Sequence, residues 1–469
     1  MIPRTKLVCT IGPASRDRLD ELVAVGMSVA RVNLAHGDPA DHEASITAVR
    51  RAADRAGRDV AVLVDLPGPK IRLGQLRGGE ASLEAGQPFR IGPTQPGDAS
   101  GSTANHALAG DLRPGDRVLL SDGAAELRVT ASTGDTVEAV VERGGTVRSR
   151  AGVAVPAERL SLPALTDDDR AVLRGLVDMG VDFVGLSFVR TAGDVESLRD
   201  ALAALSPDPP AIVAKIETRP AVEAAEAIIG SADAVMVARG DLGVELPFEE
   251  VPLIQKRLVE AARSAERPVI IATQMLESMT SAPRPTRAEA SDVANAALEG
   301  ADAVMLSAET AVGSFPIEAG DAAIRIVAAA EAGGPFGPPA VNVHGPAVAD
   351  DARAIALAAI ELARKAPDVE AIACFTRTGR TARLLAGQRP PVPILALSPD
   401  VRVRRRLALV RGVHPRPIGP SAETDLRRAL SDDVAEADVR SGSGVVLVAT
   451  TAGGGDRPNV LEVVRPPRR

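Results

Sequence analysis

The sequence predicts a (β/α)8 barrel, the TIM-barrel architecture, with a small β-domain inserted into it and an α/β domain after it. Three observations lead to this prediction. Apolar strand-like runs alternate with helical patterns along residues 1–72 and again along 160–335, as expected for a buried parallel sheet. Between them, residues 73–159 are rich in Gly, Pro, Ser and Thr and carry short alternating strands. After a Gly- and Pro-rich linker, residues 345–469 return to the α/β pattern.

The eight barrel strands are predicted from apolar runs in the two outer segments. Val, Ile, Leu and Ala lie on both faces of these runs, and helices separate them. Capping boxes at Thr166–Asp169 and Thr286–Glu289 begin two of the helices. Eight parallel strands in about 250 residues is the size of a closed barrel. The predicted strands are Lys6–Gly12, Ser28–Leu34, Val60–Leu66, Phe183–Phe188, Ala211–Ile216, Ala234–Ala238, Val269–Thr273 and Ala303–Leu306.

Shorter strands are predicted in the two added domains. In the inserted domain they are Arg117–Leu120, Glu126–Thr130 and Thr136–Glu142. In the C-terminal domain they are Ala371–Phe375, Pro393–Leu397 and Val445–Ala449. The linker before this domain covers Glu331–Val348.

Composition excludes several classes of function. The net charge of -8 argues against a nucleic-acid binder, and a chain with no Trp or Tyr and seven Phe has almost no side chains on which bases could stack. No apolar run reaches the length of a membrane span. The two cysteines, Cys9 and Cys374, stand far apart in apolar runs, as expected of buried reduced thiols. We therefore expect a cytoplasmic protein.

Lysine is rare in this chain, which makes each lysine informative. There are 54 basic residues, and only Lys6, Lys70, Lys215, Lys256 and Lys365 are lysines. A lysine inside a motif therefore suggests a place where a compact ammonium is needed and a planar guanidinium does not serve.

Active sites of such barrels lie at the C-terminal ends of the strands. Lys215 and Glu217 end the fifth predicted strand two residues apart, so they share one face of it. The sixth strand leads into a Gly-rich turn that contains Gly240 and Asp241. Alone, this turn would indicate an ordinary helix cap. Beside Glu217, however, Asp241 completes a pair of carboxylates of the kind that Mg2+ prefers.

Other strand ends add positive charge and hydroxyl groups. Arg31 and Asn33 point to one side of the second strand, with His36 just beyond it, and Lys70 and Arg72 follow the third. Thr273 and Ser307 end the seventh and eighth strands. Several cations, two carboxylates for a metal and two hydroxyls suit phosphoryl transfer or enolate chemistry. The chain contains no Gly-x-x-x-x-Gly-Lys-Ser/Thr motif, so this is not a P-loop enzyme.

Several of these motifs resemble those of the pyruvate kinases, in the order found in that family and over essentially the whole chain. The resemblance implies that Mg2+, or Mn2+, is the divalent cofactor and that phosphoenolpyruvate and ADP or ATP are the substrates. It further implies cytoplasmic glycolysis and a homotetramer. The matching segments are Thr5–Ser15, Ala30–Gly37, Ala214–Glu217, Met236–Glu245, Ala272–Met279 and Met305–Thr310.

The resemblance also implies a role for each site residue. Lys215 would stabilise charge on the transferring phosphoryl group and the enolate, and Arg31 would hold the phosphoryl group. Glu217 and Asp241 would hold the metal. The N–H groups of Gly240 and Asp241, with Thr273, would bind the substrate carboxylate. Protonation would come from the side of Thr273 and Ser307 through water. The residues that would face the nucleotide phosphates are Asn33, His36 and Arg72.

Three departures from the family concern potassium. Where the potassium-dependent members have Ser, Thr and Glu, this chain has Ala35, Leu66 and Lys70. Two oxygen ligands are absent, and an ammonium, which can replace a monovalent cation, is present. This pattern resembles the potassium-independent members, and we expect activity without potassium.

A fourth departure concerns the nucleotide. Asp168 stands where the family usually has a lysine close to the nucleotide. Acidic residues are ordinary at a helix N-terminus, but near a nucleotide polyphosphate they are unfavourable. Asp168 therefore leaves open a related barrel enzyme that transfers the phosphoryl group to a different acceptor. A non-catalytic metabolite sensor is a third reading, against which the intact Lys215, Glu217, Asp241 and Thr273 argue.

One loop of the C-terminal domain carries a possible effector site. It runs from strand to helix and supplies hydroxyls, a glycine and a helix N-terminus, which together can cradle a phosphate. It resembles the loop that binds sugar-phosphate effectors in the family, although a loop with purely structural caps would read similarly. Its residues are Thr376, Arg377, Thr378, Gly379, Arg380 and Thr381.

Overall fold

The computed structural model describes residues 3–76, 78–92, 108–121, 123–333, 351–419, 443–449 and 460–465. Its strands are β1 Lys6–Thr10, β2 Met27–Asn33, β3 Ala61–Asp65, β4 Glu80–Leu83, β5 Pro88–Ile91, β6 Arg117–Leu120, β7 Ala125–Thr133, β8 Thr136–Arg143, β9 Gly145–Arg148, β10 Val153–Ala154, β11 Phe183–Leu186, β12 Ala211–Ile216, β13 Ala234–Ala238, β14 Val269–Ala272, β15 Ala303–Leu306, β16 Val369–Phe375, β17 Ile394–Ser398, β18 Val413–Pro417, β19 Gly444–Ala449 and β20 Val460–Val464.

The described helices lie between these strands, and none of them is long and apolar enough to cross a membrane. They are α1 Leu19–Val25, α2 Pro39–Arg55, α3 Asp167–Asp178, α4 Ala192–Ala203, α5 Arg219–Glu223, α6 Ala225–Ser231, α7 Arg239–Glu245, α8 Val251–Ser264, α9 Arg287–Glu299, α10 Ala308–Ala311, α11 Pro316–Ala332, α12 Asp351–Lys365, α13 Arg380–Gly387 and α14 Val401–Leu407.

The predicted barrel is confirmed. Eight parallel strands close on themselves in the order β1-β15-β14-β13-β12-β11-β3-β2. Two predicted strand ends are wrong for one physical reason: Phe188 and Thr273 lie in the left-handed region, at φ 56° and 68°, so neither continues a strand. Both residues stand at the C-terminal rim of the barrel.

The interior of the barrel is a packed apolar core. Its side chains come from alternate positions of the strands, and Leu409 of the C-terminal segment packs among them from below with no exposed surface. Because this core leaves no room for polar groups, polar side chains on the strands collect at the rim. The interior strand residues include Val8, Val29, Leu63, Phe183, Val213, Met236, Ile270 and Met305.

The segment after β3 forms two antiparallel sheets. One has five strands in the order β10-β6-β7-β8-β5 and the other pairs β4 with β9. They enclose a separate apolar core that includes Phe89, Leu120 and Leu127. An isolated bridge between Arg72 and Gly152 joins the segment's entry to its exit.

The C-terminal sheet has the order β18-β17-β16-β19-β20, with only β20 antiparallel among its described strands. The three strands predicted here are present. The sequence reading missed β18, which reads Val-His-Pro-Arg-Pro. Prolines are tolerated in β18 because it is the edge strand of this sheet.

A buried charged cluster fastens the C-terminal sheet to the bottom of the barrel. Glu331, at the end of α11, accepts hydrogen bonds from Thr5 Oγ1 at 2.8 Å and Arg411 Nη2 at 2.9 Å. Asp302 pairs with Arg389 at 3.1 Å. Lys6 Nζ donates to the carbonyl oxygen of Val413 at 2.6 Å. These contacts tie the start of β1 to the C-terminal domain.

Replacing Arg411 by Met is predicted to lower the free energy of unfolding by roughly 3–5 kcal/mol, because removing one partner leaves the Glu331 carboxylate buried without its cation. The matched control is Arg325→Met, since Arg325 pairs with Asp321 on an exposed helix face and such pairs contribute less than about 1 kcal/mol. Urea denaturation of both variants would check this. Equal, small losses would show that the cluster does not hold the two domains.

Candidate active site

Lys215 and Glu217 meet at the end of β12, as their spacing predicts. Lys215 Nζ lies 3.0 Å from Glu217 Oε2, and the Lys215 side chain is 11% and the Glu217 side chain 1% exposed. The ammonium also donates to Ser187 Oγ at 2.8 Å. Burial alone would lower the pKa of Lys215, but Glu217 and Asp65 outweigh it and raise this pKa. Lys215 is therefore a fixed positive charge at the rim.

The two oxygens of the Glu217 carboxylate make different contacts. Oε1 accepts the N–H of Phe188 at 2.6 Å. Oε2 is buried and lies 3.0 Å from Lys215 Nζ, and no backbone N–H or hydroxyl of the described residues donates to it. Asp241, on the first turn of α7, is exposed and close enough to Lys215 to help raise its pKa.

This donor set fits a magnesium ion. The described residues contain no cluster of three or more acidic, His or Cys side chains that could hold a metal by themselves. Two carboxylates, with the remaining positions left to substrate and water, is the usual way in which proteins bind Mg2+. The buried Oε2 of Glu217 is the kind of acceptor that such an ion would satisfy.

Arg31 is held in place by two neighbouring strands. Its Nε donates to Asp65 Oδ2 at 2.7 Å and its Nη1 to Thr10 Oγ1 at 3.1 Å. Burial alone would raise the pKa of Asp65, but Arg31 and Lys215 outweigh it and lower this pKa. A Cβ on Gly185 would stand 2.1 Å from Asp65 Oδ1, so only glycine leaves room for this carboxylate. The sequence reading missed Asp65, whose signal was an acid in an otherwise apolar strand.

Thr273 lies between β14 and the first turn of α7. Its Oγ1 accepts the N–H of Gly240 at 2.7 Å. This N–H, expected to bind a substrate carboxylate, is thus already engaged within the protein. A β-branched residue at φ 68° is strained, and strain of this kind is frequent at functional sites.

Ser307 ends β15 with a hydroxyl that has no partner among the described residues although it is buried. Its N–H donates to Glu309 Oε2 at 2.6 Å, and Glu309 Oε1 accepts the N–H of Leu276 at 3.0 Å. Glu309 has no exposed surface. It therefore fastens the ends of β14 and β15 together, a role that the sequence reading did not assign.

The ammonium of Lys70 also interacts electrostatically with the charged groups of this site. Burial, Lys215 and Arg72 lower the pKa of Lys70, while Asp241 and Glu217 oppose them. Burial, with Lys70 and Arg72, lowers the pKa of His36 and so favours its neutral imidazole. Asn33 Oδ1 accepts the N–H of Ala35 at 3.1 Å, which shapes the turn after β2.

A cleft of about 810 Å³ opens beside these residues. Lys70, Arg72 and His42 line it together with Asp167 and Asp168 at the start of α3. Lys215, Glu217 and Asp241 are not among its lining residues. It therefore adjoins the strand-end site through Lys70 and Arg72, and its volume suits a ligand of nucleotide size.

The loop at the start of α13 lies in the C-terminal domain, apart from these groups. Thr376 Oγ1 accepts the N–H of Gly379 at 2.9 Å, and Gly379 adopts φ 79°. The guanidinium of Arg377 lies 5.9 Å from the centre of the Phe375 ring. Arg377, Thr378 and Arg380 are exposed, whereas Thr376 and Thr381 are buried.

Comparisons with known proteins agree on one family. Residues 2–320 match the family model described as pyruvate kinase, barrel domain, and residues 353–464 match pyruvate kinase, alpha/beta domain. A pyruvate kinase of Mycobacterium tuberculosis is 43% identical, covering 96% of this chain and 95% of its own length. One of Corynebacterium efficiens is 46% identical over 87% of this chain and 86% of its own.

A solved structure adds the fold. The crystal structure of a pyruvate kinase from Cryptosporidium parvum superposes with a TM-score of 0.89 at 33% identity, covering 99% of this chain and 96% of that one. The likeness therefore extends over both the barrel and the added domains.

Replacing Glu217 by Gln is predicted to weaken Mn2+ binding at least about tenfold, because an amide oxygen is a poorer ligand for a hard cation than a carboxylate. Asp178→Asn, at the exposed far end of α3, removes the same charge away from the site and should leave binding unchanged. Electron paramagnetic resonance of free Mn2+ measures both. Wild-type affinity in the Gln variant would remove Glu217 from the metal site.

Proposed function

The chain belongs to the pyruvate kinase family, and we propose that the strand-end cluster around Lys215 is its catalytic site. The enzyme transfers a phosphoryl group from phosphoenolpyruvate to ADP and gives pyruvate and ATP. The observation that carries the assignment of the site is the buried ion pair between the Lys215 ammonium and Glu217 Oε2, an oxygen to which no backbone N–H or hydroxyl of the described residues donates. A phosphotransferase needs this combination of fixed positive charge and metal ligand.

The proposed mechanism depends on positioned charge. Arg31, braced by Asp65 and Thr10, binds the phosphoryl group. Glu217 and Asp241 would hold Mg2+, or Mn2+, which when bound would offset negative charge on the phosphate oxygens. The ester P–O bond breaks as an oxygen of the ADP β-phosphate bonds to phosphorus. Lys215 stabilises the charge on the transferring group and on the enolate oxygen that is left.

The enolate then takes a proton on its methylene carbon to become pyruvate. We assign the delivery of this proton to the side of Thr273 and Ser307, through water. The hydroxyl of Ser307 supports this assignment because it is buried and has no hydrogen-bond partner among the described residues. Thr273 and the N–H groups of Gly240 and Asp241 would bind the substrate carboxylate. The present hydrogen bond from Gly240 N–H to Thr273 Oγ1 would then give way to contacts with the substrate.

We infer that the nucleotide binds in the cleft beside Lys70. Arg72, Lys70 and the neighbouring His36 and Asn33 would face its phosphates. The exposed carboxylates of Asp167 and Asp168 also line the cleft. Since a polyphosphate is repelled by carboxylates, we infer that Asp168 weakens the binding of ADP.

Lys70 is proposed to replace the potassium ion. The ammonium lies among the charges of Lys215, Asp241 and Glu217, which all affect its pKa, and Ala35 and Leu66 offer no side-chain oxygen to a cation.

On the family resemblance, we further propose that the protein is a cytoplasmic homotetramer and that the loop Thr376–Thr381 binds a sugar-phosphate effector. We also retain the domain limits predicted from the sequence, which are 1–72 with 160–335 for the barrel, 73–159 for the inserted domain and 345–469 for the C-terminal domain.

The first test measures the initial rate of pyruvate formation with Mg2+ in buffer free of sodium and potassium. We expect the full rate without potassium. Lys70→Met should lower it at least about tenfold, with partial recovery on adding potassium, because the lost charge is then supplied from solution. Lys365→Met, at an exposed helix end, is the control. A wild-type enzyme that needs potassium would refute the role of Lys70 and leave the kinase assignment intact.

A second test exchanges the charge at the nucleotide cleft. Asp168→Lys should lower the KM for ADP by about three- to tenfold at low salt, because the sign of one nearby charge is reversed. Asp200→Lys makes the same change on an exposed position of α4, which does not line the cleft, and should leave this KM unchanged. If both variants behave alike, the effect is one of net charge and Asp168 does not face the nucleotide.

A further inference from the structure

The turn that ends β11 touches both groups on which the proposed chemistry depends. It consists of Ser187 and Phe188, to which the family resemblance assigned no role. We propose that this turn positions Lys215 and Glu217, with Ser187 as the positioning residue for the ammonium. This inference rests on the catalytic roles proposed above for Lys215 and Glu217.

Ser187 is 3% exposed, and both hydrogen-bonding functions of its hydroxyl are used. The hydroxyl donates to the carbonyl oxygen of Leu66 at 2.8 Å and accepts from Lys215 Nζ at 2.8 Å. Its single proton points to Leu66, so its lone pairs are turned toward the ammonium. Strand register sets this alignment, because Leu186 pairs with Ala214 and each is followed by one of the two partners.

Phe188 fixes the carboxylate on the other side of the turn. Its φ of 56° is unusual for an aromatic residue, and this conformation directs its N–H to Glu217 Oε1 at 2.6 Å. The turn is also held from behind. A Cβ on Gly68 would lie 3.0 Å from Phe188 Cδ2 and 3.3 Å from Ser187 Cβ. Gly68 therefore leaves room for the side chains of the turn, and a larger residue there would displace them.

The two partners of Lys215 differ in what else is required of them. Glu217 is proposed to bind the metal, so its carboxylate is shared between the metal and the ammonium. Ser187 is neutral, buried and anchored to Leu66, and within the described residues its hydroxyl has no hydrogen-bond partner besides Leu66 and Lys215. It therefore keeps the ammonium at the strand end when Glu217 turns to the metal.

The experiment compares Ser187→Ala with Ser187→Thr. The alanine variant should lose kcat by about 10- to 100-fold, as is usual when a support of a site residue is removed, while calorimetric affinity for phosphoenolpyruvate changes less than about threefold. The threonine variant keeps a hydroxyl and should retain at least about a third of the rate. Ser187→Cys keeps a side chain of similar shape, but its sulfur is a weak hydrogen-bond acceptor. The same loss of kcat is expected for it, so it can replace the alanine variant if the alanine variant does not fold.

Ser45→Ala is the matched control. Ser45 is 5% exposed and its hydroxyl donates to the carbonyl oxygen of Asp41 at 2.8 Å, away from the site. Full activity in the Ala and Cys variants at position 187 would overturn the inference. So would equal loss of kcat in the Ala and Thr variants. A wild-type protein that makes no pyruvate would instead refute the proposed site itself.

Two variants at Phe188 test whether the turn orients the Glu217 carboxylate for the metal. Phe188→Val places a β-branched residue at φ 56°, which it resists, whereas Phe188→Asn tolerates this conformation. We expect the Val variant to bind Mn2+ about tenfold more weakly than the Asn variant, because only the latter keeps the N–H on Glu217. Equal Mn2+ affinities in electron paramagnetic resonance titrations would show that Phe188 does not orient the carboxylate.

Discussion

The 3.0 Å pair between Lys215 and Glu217 is the interaction on which the rest of the rim is built. A buried ammonium is costly unless negative and dipolar groups surround it. Glu217 supplies one such group, Asp65 supplies a second charge, and Ser187 supplies an oxygen. Each of these comes from a different one of three adjacent strands, β12, β3 and β11, so parallel strand pairing is what brings them together. The same low exposure strengthens every electrostatic interaction that the site offers to a substrate.

Three of the seven non-glycine residues with positive φ in the described part of the chain lie at the C-terminal rim of the barrel. Phe188, Thr273 and Gln274 all take positive φ values, and each such residue costs on the order of 1–3 kcal/mol. The strain at Phe188 and Thr273 is offset locally, since Phe188 N–H binds Glu217 and Thr273 Oγ1 binds Gly240 N–H. At these two positions the cost yields an aimed donor or acceptor at a strand end. The packed barrel core below supplies the stability that such a rim requires.

Much of this architecture could be predicted from the sequence. Long apolar runs and capping boxes gave all eight barrel strands, and the two-residue spacing placed Lys215 beside Glu217. The strand ends at Phe188 and Thr273 could not be predicted, because left-handed backbone in Phe and Thr follows from tertiary contacts and not from propensity. The edge strand β18 was missed because its prolines argue against a strand in any central position.

The site residues that were missed share a cause. Asp65, Ser187 and Glu309 carry ordinary side chains, and their importance lies in which other strand they touch. Such contacts join residues 34, 28 and 33 positions apart, and strand register decides them. A sequence shows which polar residues end the strands but not which of them meet.

The most direct test is a crystal structure with Mn2+ and oxalate, a dianion that resembles the enolate of pyruvate. We expect an anomalous peak bound by Glu217 and Asp241, with Lys215 Nζ turned to the oxalate and still bonded to Ser187 Oγ. A metal bound elsewhere, or a Lys215 that remains on Glu217 alone, would show that this buried pair is not the catalytic core.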